Sequence, residues 1–389
     1  MKFFNQLDES SNNKIFYKRP EDFYLDSPKE LLSYALGATM YMPAIRENIA
    51  KDFINFKHPA LKSCVLCMED AIDDSDEKKA WENLFLVLKE LETSISNKLI
   101  DSQSLPMIFI RIRDLKSFER LIKKYKKLSL ICGFVFPKFD SNNSEKYLNV
   151  LSQVNSISDK KFYGLPILES SQIIYKESRV SELVAIKNIL DRYKDIVLNI
   201  RIGAADLSGL YSLRREFAQT IYDIAVINNC IADIINMFLR ADSEYVVSGP
   251  VWEYFRSGDR LLKPLLRETA FFSEMGKEGL KERSYLIDQY ADGLIKETLL
   301  DKANGLTGKT IIHPTHISIV NALQVVTKEE YEDAKAILDR ENKGAAKSIF
   351  NNKMNEPKPH INWARKILTK SKIYGVLNEG RNYTSLFTT

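Results

Sequence analysis

Two carboxylates at the ends of apolar runs have the residue type and the placement of a metal site. Glu169 ends the run YGLPILES, and Asp206 ends VLNIRIGAADL, the next such run along the chain. If these runs are adjacent parallel strands, about 4.8 Å apart, both carboxylates can reach one hard cation. Mg²⁺ is usually held by one or two carboxylates together with water and substrate oxygens. We therefore predict that Glu169 and Asp206 bind Mg²⁺; the alternative is that each caps the helix that follows it.

Charged side chains also end the three apolar runs before this pair, and they could bind an anion beside the metal. Arg111 and Arg113 end FIRIRD, and a guanidinium presents a planar fork that suits a carboxylate or thioester oxygen. We predict that Arg111, ahead of Arg113, binds the substrate; for either arginine the alternative is an ion pair with a carboxylate of the same rim. The remaining charged run ends are Glu69, Asp70 and Lys138.

Positioning these groups requires a parallel sheet, and the sequence has the pattern of one. Short apolar runs alternate with longer amphipathic segments, and strands that are apolar throughout indicate a sheet covered by helices. Eight such units favour a closed (β/α)₈ TIM barrel, whose active site lies at the carboxyl ends of its strands. An open doubly wound sheet is the alternative, but no G-x-G-x-x-G turn follows the first run. The eight runs are residues 38–44, 63–70, 107–114, 132–139, 163–170, 197–207, 245–251 and 309–315.

The segments outside these units define the expected domain organisation. Residues 1–30 are polar and irregular and are predicted to be an N-terminal extension of a barrel that spans residues 31–326. Residues 252–308 are too long for one helix and its loops, so an insertion is expected there. Residues 327–389 follow the last strand and are predicted to form a helical C-terminal extension.

Composition excludes several classes of function. The chain has 389 residues, of which 44% are hydrophobic, and its net charge is only +4, which is poor evidence for a nucleic-acid partner. No run approaches the roughly 20 apolar residues of a membrane span, and the N-terminus lacks the apolar core of a signal peptide. We therefore expect a cytoplasmic protein that binds neither nucleic acid nor membrane.

Seven segments, in order along the chain, resemble motifs of the citrate lyase β-subunit/HpcH–HpaI aldolase superfamily. No single motif is decisive, but seven in the right order are specific. The segments are TMYMPAIRENI, CMEDAIDDSDEKKA, FIRIRD, GFVFPKF, LPILESS, IGAADLSG and GKTIIHPTHISIVNAL.

The resemblance implies roles for particular residues. The metal ligands of the superfamily fall on Glu169 and Asp206, and its substrate arginine falls on Arg111. Its Glu-Asp pair falls on Glu69 and Asp70, and these two residues and Arg111 are expected to be catalytic. Further substrate-binding residues are expected at the other charged positions of the matched motifs, namely Arg46, Arg113 and Lys138.

Departures from the motifs point to one branch of the superfamily. Ala44 replaces the turn glycine, Arg113 replaces an asparagine, and Ala205 replaces the glutamate before the metal aspartate. These features resemble the TIM-barrel carbon–carbon bond lyases that are associated with bacterial tellurite-resistance and stress gene clusters. The resemblance therefore implies a role in stress response, and it weakens the case for a coenzyme A thioester as substrate.

The expected function is a Mg²⁺-dependent carbon–carbon bond lyase or aldolase. It would act on a small carboxylate or 2-oxo acid, or on its coenzyme A thioester, through a metal-stabilised enolate. The alternatives are a barrel for phosphoenolpyruvate-type phosphotransfer and a non-catalytic binding or scaffold barrel. Tails of related enzymes can cover a neighbouring subunit's site, so we expect a homo-oligomer with residues 350–389 close to an active-site mouth. Docking of this tail on its own barrel is the alternative.

Overall fold

Eight parallel strands coincide with the eight apolar runs. The computed structural model describes residues 1–124, 128–243, 245–255, 289–341 and 344–387. Most of the expected insertion, residues 256–288, lies outside the described residues. The strands are β1 (Ala38–Pro43), β2 (Ser63–Cys67), β3 (Met107–Arg111), β4 (Ile131–Phe136), β5 (Tyr163–Leu168), β6 (Ile200–Ile202), β7 (Val247–Ser248) and β8 (Lys309–Ile311).

Hydrogen bonding joins these strands into a ring. Their order is β7-β6-β5-β4-β3-β2-β1-β8, and every named pair is parallel. A bridge between Gly249 and Lys309 joins β7 to β8, with the amide of Gly249 donating to the carbonyl of Gly308 at 3.0 Å. The predicted TIM barrel is therefore confirmed, and the open doubly wound sheet is wrong.

Helices surround the barrel because each buries one apolar stripe against the strands. In Glu77–Ser96, residues Trp81, Leu84, Leu88 and Leu91 are buried at spacings of three and four, the period of a helix face. The other helices in the described part of the chain are Glu9–Ile15, Lys29–Tyr34, Ile49–Ile54, Leu115–Lys124, Ser144–Ile157, Ser171–Ile174, Lys176–Arg192, Ala204–Gly209, Ala225–Phe238, Gln289–Ala303, His316–Ala322, Lys328–Leu338 and Pro357–Tyr374. Among the described residues, no helix has the length and apolar character needed to cross a membrane.

Side chains on each strand alternate between the helix layer and the barrel interior. In β3, Ile108 and Ile110 belong to the core between strands and helices, and Phe109 belongs to the core inside the barrel. Arg111 comes two residues after Phe109 and therefore faces the interior as well. This alternation aims the last residue of β3 into the barrel mouth, where an active site of this fold is expected.

The two ends of the chain close the barrel at the amino ends of its strands. Phe3, Phe23, Tyr374 and Leu377, here called the terminal plug, are buried in the same core as the barrel interior. The rings of Phe3 and Tyr374 are 4.5 Å apart, and strand Phe16–Lys18 pairs antiparallel with Val376–Leu377. The N-terminal segment is thus partly ordered and buried, although its sequence pattern predicts an irregular extension.

The C-terminal tail docks on its own barrel. Helix Pro357–Tyr374 packs against Lys328–Leu338 and Lys29–Tyr34, and a short antiparallel pair links Ala346–Lys347 to Met354–Asn355. The described part of the tail therefore lies at the end of the barrel opposite the carboxyl ends of the strands. This position matches the alternative of self-docking, and the expected place near a neighbouring subunit's active-site mouth stays a prediction. Homo-oligomerisation stays a prediction.

A buried lysine in this tail predicts a stability effect. Lys370 is 7% exposed and donates to Gln324 at 3.3 Å; burial, reinforced by Lys302, lowers its pKa to about 7. Since the unfolded chain then holds more protons between about pH 7 and pH 10, the free energy of unfolding should rise with pH across that window. Lys370→Met should raise this free energy by roughly 2–4 kcal/mol at pH 7, with the gain fading towards pH 10.

Urea unfolding of the parent protein and the variant at several pH values measures this difference. Lys358→Met is the matched control, because Lys358 is exposed on the same helix. A gain for Lys370→Met that is the same at pH 7 and pH 10 would show that lost packing strain, and not a buried charge, is responsible.

Candidate active site

The carboxyl ends of the strands enclose a cavity of about 180 Å³, here called the barrel cavity. Larger cavities, of about 370 and 450 Å³, lie at the amino end of the barrel and beside helix Glu77–Ser96. The barrel cavity is nevertheless the candidate site, because it contains the predicted strand-end residues and has the position of active sites in this fold. The polar side chains that line it are Tyr41, Asp70, Arg111, Glu169, Arg201, Asp206 and Thr310.

Glu169 follows β5 and is held rigidly. Its side chain is almost fully buried, and Oε1 accepts hydrogen bonds from the backbone amide of Lys138 at 2.7 Å and from Arg111 at 3.3 Å. Gly203 is required beside it, because a Cβ at that position would lie 2.1 Å from Glu169 Oε2. Burial, opposed by Arg111 and reinforced by Asp206, raises the pKa of Glu169 to about 8.

Asp206 lies in the first turn of helix Ala204–Gly209, which follows β6. Burial raises its pKa, as does the negative charge of Asp70, while Arg111, Lys138 and a hydrogen bond from Glu169 oppose the rise. The helix-capping alternative does not describe this pair, because the N-cap residues of the following helices are Ser170 and Gly203.

Two neighbouring carboxyl groups with raised pKa values are a donor set that suits a divalent cation. A cation between Glu169 and Asp206 would favour their charged forms and so oppose the rise in pKa that burial causes. Nowhere in the described ranges do three or more His, Cys, Asp or Glu side chains form a metal-binding group. A two-carboxylate set fits Mg²⁺, which retains water and takes further oxygens from substrate, better than it fits zinc, which usually takes three or four protein ligands.

Arg111 lies at the centre of an acidic cluster. Its Nη2 is 2.5 Å from Glu69, 2.9 Å from Asp70 and 3.3 Å from Glu169, and its Nε has no hydrogen-bond partner. Burial alone would lower its pKa, but the carboxylates outweigh burial and raise it. The pairing of Arg111 with rim carboxylates is thus present, and the same guanidinium fixes Glu169 in place.

Lys138 joins the same cluster through both its backbone and its side chain. Its Nζ donates to Glu69 at 2.8 Å and lies 3.7 Å from Asp70, and the hydrogen bond to Glu69 raises its pKa. The backbone has a positive φ of 47°, which turns the amide towards Glu169. Lys138 is more than half exposed at the rim, so its charge remains accessible to an incoming anion.

Two predicted substrate-binding arginines form ion pairs away from the barrel cavity. Arg46 pairs with Asp52 on the helix after β1, and Arg113 lies beyond the end of β3, where it pairs with Asp74. Neither lines the barrel cavity. Because both guanidiniums are paired with acidic side chains, the mechanism below does not use them, and their role in substrate binding stays a prediction.

Sequence reasoning missed three polar groups on the cavity walls. Tyr41 in β1, Arg201 in β6 and Thr310 in β8 all face the interior. The sequence carries a signal for Arg201 alone, a charged residue between two isoleucines in a mostly apolar run. An arginine in such a position needs a polar surrounding inside the barrel.

Comparisons with known proteins agree with this architecture. A family model described as C-C bond lyase of the TIM-barrel fold matches residues 30–376, and no curated protein matches the sequence. A crystal structure of CitE from Mycobacterium tuberculosis in complex with magnesium, acetoacetate and coenzyme A is 15% identical, with a TM-score of 0.50, and the match covers 87% of this chain and 99% of that one. RipC from Yersinia pestis is 16% identical, with a TM-score of 0.46, covering 75% and 95% of the two chains. At such identities the structural likeness concerns the fold alone.

Proposed function

Because the chain belongs to the family of carbon–carbon bond lyases of the TIM-barrel fold, we propose that it binds Mg²⁺ on Glu169 and Asp206 and acts on a small 2-oxo acid. The observation that supports this proposal is the pair of strand-end carboxyl groups whose pKa values are raised beside a buried arginine. The CitE structure that shares the fold contains magnesium and acetoacetate, and the proposal transfers that combination to this chain.

The bond to be broken joins the carbon next to the substrate's 2-oxo group to a carbon that bears a hydroxyl group. As it breaks, its electron pair moves into the enolate of the fragment that keeps the carboxylate, and a proton leaves the hydroxyl group of the other fragment. Glu169 and Asp206 would hold Mg²⁺, which when bound would supply positive charge to stabilise the negative charge developing on a substrate oxygen. Arg111 adds a second fixed positive charge, which Glu69 and Asp70 hold in orientation before the substrate arrives.

Glu69 and Asp70 differ in a way that suits proton transfer. Burial raises the pKa of Glu69, whereas Arg111 and Lys138 overcome the effect of burial on Asp70 and lower its pKa. Neighbouring carboxyl groups with separated pKa values can divide acid and base roles between them. Asp70 lines the barrel cavity and is assigned as the proton acceptor, and Glu69 orients Arg111 and Lys138.

Enolate formation can be tested without knowing the physiological substrate. In D₂O with Mg²⁺, the protein should exchange the methyl protons of pyruvate for deuterium, which NMR measures directly. Glu169→Gln should slow this exchange by at least about a hundredfold, since fixed electrostatic groups at developing charges are typically worth 10²–10³ in rate. Glu177→Gln is the matched control, because Glu177 is exposed on the helix of the same βα unit.

The same assay distinguishes the alternatives. Exchange in acetyl coenzyme A but not in pyruvate would assign a thioester substrate. Mg²⁺-independent exchange, or an active Glu169→Gln variant, would remove the proposed metal site. Absence of exchange in both compounds would favour a phosphotransfer or scaffold barrel.

A further inference from the structure

Arg201 is a buried charge that the proposed mechanism does not use. It is 1% exposed, and its neighbours Ile200 and Ile202 both belong to the core between strands and helices. The alternation of the strand therefore directs Arg201 into the barrel, where it lines the barrel cavity. A guanidinium remains protonated in proteins, so this position holds a permanent positive charge.

The surroundings of Arg201 are polar but neutral. Nη2 donates to the hydroxyl of Thr310 at 2.7 Å, and Nη1 makes a long contact of 3.5 Å to the hydroxyl of Thr39. The guanidinium also lies 5.6 Å from the centre of the Tyr41 ring, and its Nε has no hydrogen-bond partner. Two hydroxyl groups and one ring face leave the charge of the guanidinium uncompensated.

Arg201 differs in this respect from the other buried arginines of the described chain. Arg111, Arg179 and Arg215 each form an ion pair, whose partners include Glu69, Asp233 and Glu253, respectively. Within the described ranges, no acidic side chain forms an ion pair with Arg201. A buried charge without a counterion is strongly unfavourable, so an anion is expected to meet it. The barrel cavity is the space from which such an anion can come.

We propose that Arg201 binds a second carboxylate of the substrate, so that the barrel cavity selects dicarboxylic 2-oxo or 2-hydroxy acids. This inference rests on the proposed function, in which the first carboxylate lies near the metal carboxylates and Arg111. The two guanidiniums come from β3 and β6, on different walls of the cavity, and can therefore hold opposite ends of one short molecule. The single charge of a carboxylate matches the one cation at Arg201 better than a phosphate dianion does.

Comparing malate with lactate tests the proposal, because malate carries one more carboxylate and neither acid decarboxylates. With saturating Mg²⁺, calorimetry should show that the parent protein binds malate at least tenfold more tightly than lactate. Arg201→Gln should abolish this preference, because it should weaken the binding of malate and leave the binding of lactate unchanged. Arg201→Lys should keep part of it, because lysine retains the charge but loses the planar fork. Arg192→Gln is the control, since Arg192 forms an exposed ion pair with Glu145 on the outer helices.

Each outcome decides the proposal. Equal binding of malate and lactate by the parent protein would overturn it without any variant, so a variant that fails to fold leaves the test intact. If the parent protein bound phosphoenolpyruvate more tightly than malate, and Arg201→Gln lost this difference, Arg201 would bind a phosphate group and the proposal would be overturned. Deuterium exchange in pyruvate by the parent protein tests the proposed function separately, so exchange without a malate preference would refute only the dicarboxylate inference.

Discussion

Asp206→Ala is expected to reduce Mg²⁺ affinity by at least about a hundredfold, or roughly 2.7 kcal/mol, and to leave the barrel folded. The variant removes one of the two carboxylates that the proposed site offers the metal, and Glu169 alone would have to hold the ion. Removing this carboxylate should not lower the free energy of unfolding, because burial and neighbouring charge raise the pKa of Asp206 and its charged form is therefore unfavourable in the folded protein. In metal-free buffer the variant should therefore be at least as stable as the parent protein.

Calorimetric titration with Mg²⁺ and thermal unfolding in EDTA measure these two effects. Asp73→Ala provides the control, because Asp73 is an exposed acid on the loop after β2, at the same rim of the barrel. Unchanged Mg²⁺ affinity in Asp206→Ala would eliminate this residue as a ligand. A variant that loses both metal binding and its folded structure would instead assign Asp206 a structural role.

Arg111→Lys is expected to weaken binding of pyruvate at least tenfold, which is about 1.4 kcal/mol. Lysine preserves the charge but cannot form the two parallel hydrogen bonds of a guanidinium, and charge-assisted bonds of this kind contribute roughly 1.5–3 kcal/mol each. From the sequence alone, Mg²⁺ affinity should barely change. The 3.3 Å contact with Glu169 alters that expectation, and we expect a loss of metal affinity smaller than the loss of acid affinity.

Two titrations separate these contributions, the first with Mg²⁺ alone and the second with pyruvate at saturating Mg²⁺. The control is Arg192→Lys, the same substitution in an exposed ion pair. Equal losses of metal and acid would make Arg111 a positioning residue for Glu169. Undiminished acid binding would exclude Arg111 from substrate recognition.

Local pattern was sufficient to predict the barrel, its eight strands and the superfamily. Strands buried on both faces must be apolar throughout. The first polar residue after each apolar run therefore marks the end of a strand, where active-site residues of this fold lie. Glu169 and Asp206 were found in this way. Arg201 was overlooked because it lies within a run and not at its end. Arg201 matters because its side chain lies on the inner face of the barrel. That orientation follows from the bounds of β6, which only the structure gives.

The ion-pair partners of the rim arginines could not be predicted from motif positions. The motif positions of Arg46 and Arg113 suggest substrate binding, yet acidic residues on other loops and helices pair with both. The position of the C-terminal tail on the barrel could not be derived either, because it depends on contacts with the first residues of the chain, such as the pairing of Val376–Leu377 with Phe16–Lys18. A pattern of apolar residues identifies a buried face but does not identify what covers it.

The terminal plug has a consequence for the way the protein matures. Synthesis proceeds from the amino end, so Phe3 and Phe23 leave the ribosome before any barrel strand, and Tyr374 and Leu377 leave after the last one. Contacts with so large a sequence separation form slowly. Until the tail docks, the ring of Phe3 lacks the contact that Tyr374 makes with it in the folded protein. We expect the closing step to be this late docking of the tail, which makes the barrel one cooperative unit from its first residues to its last helix.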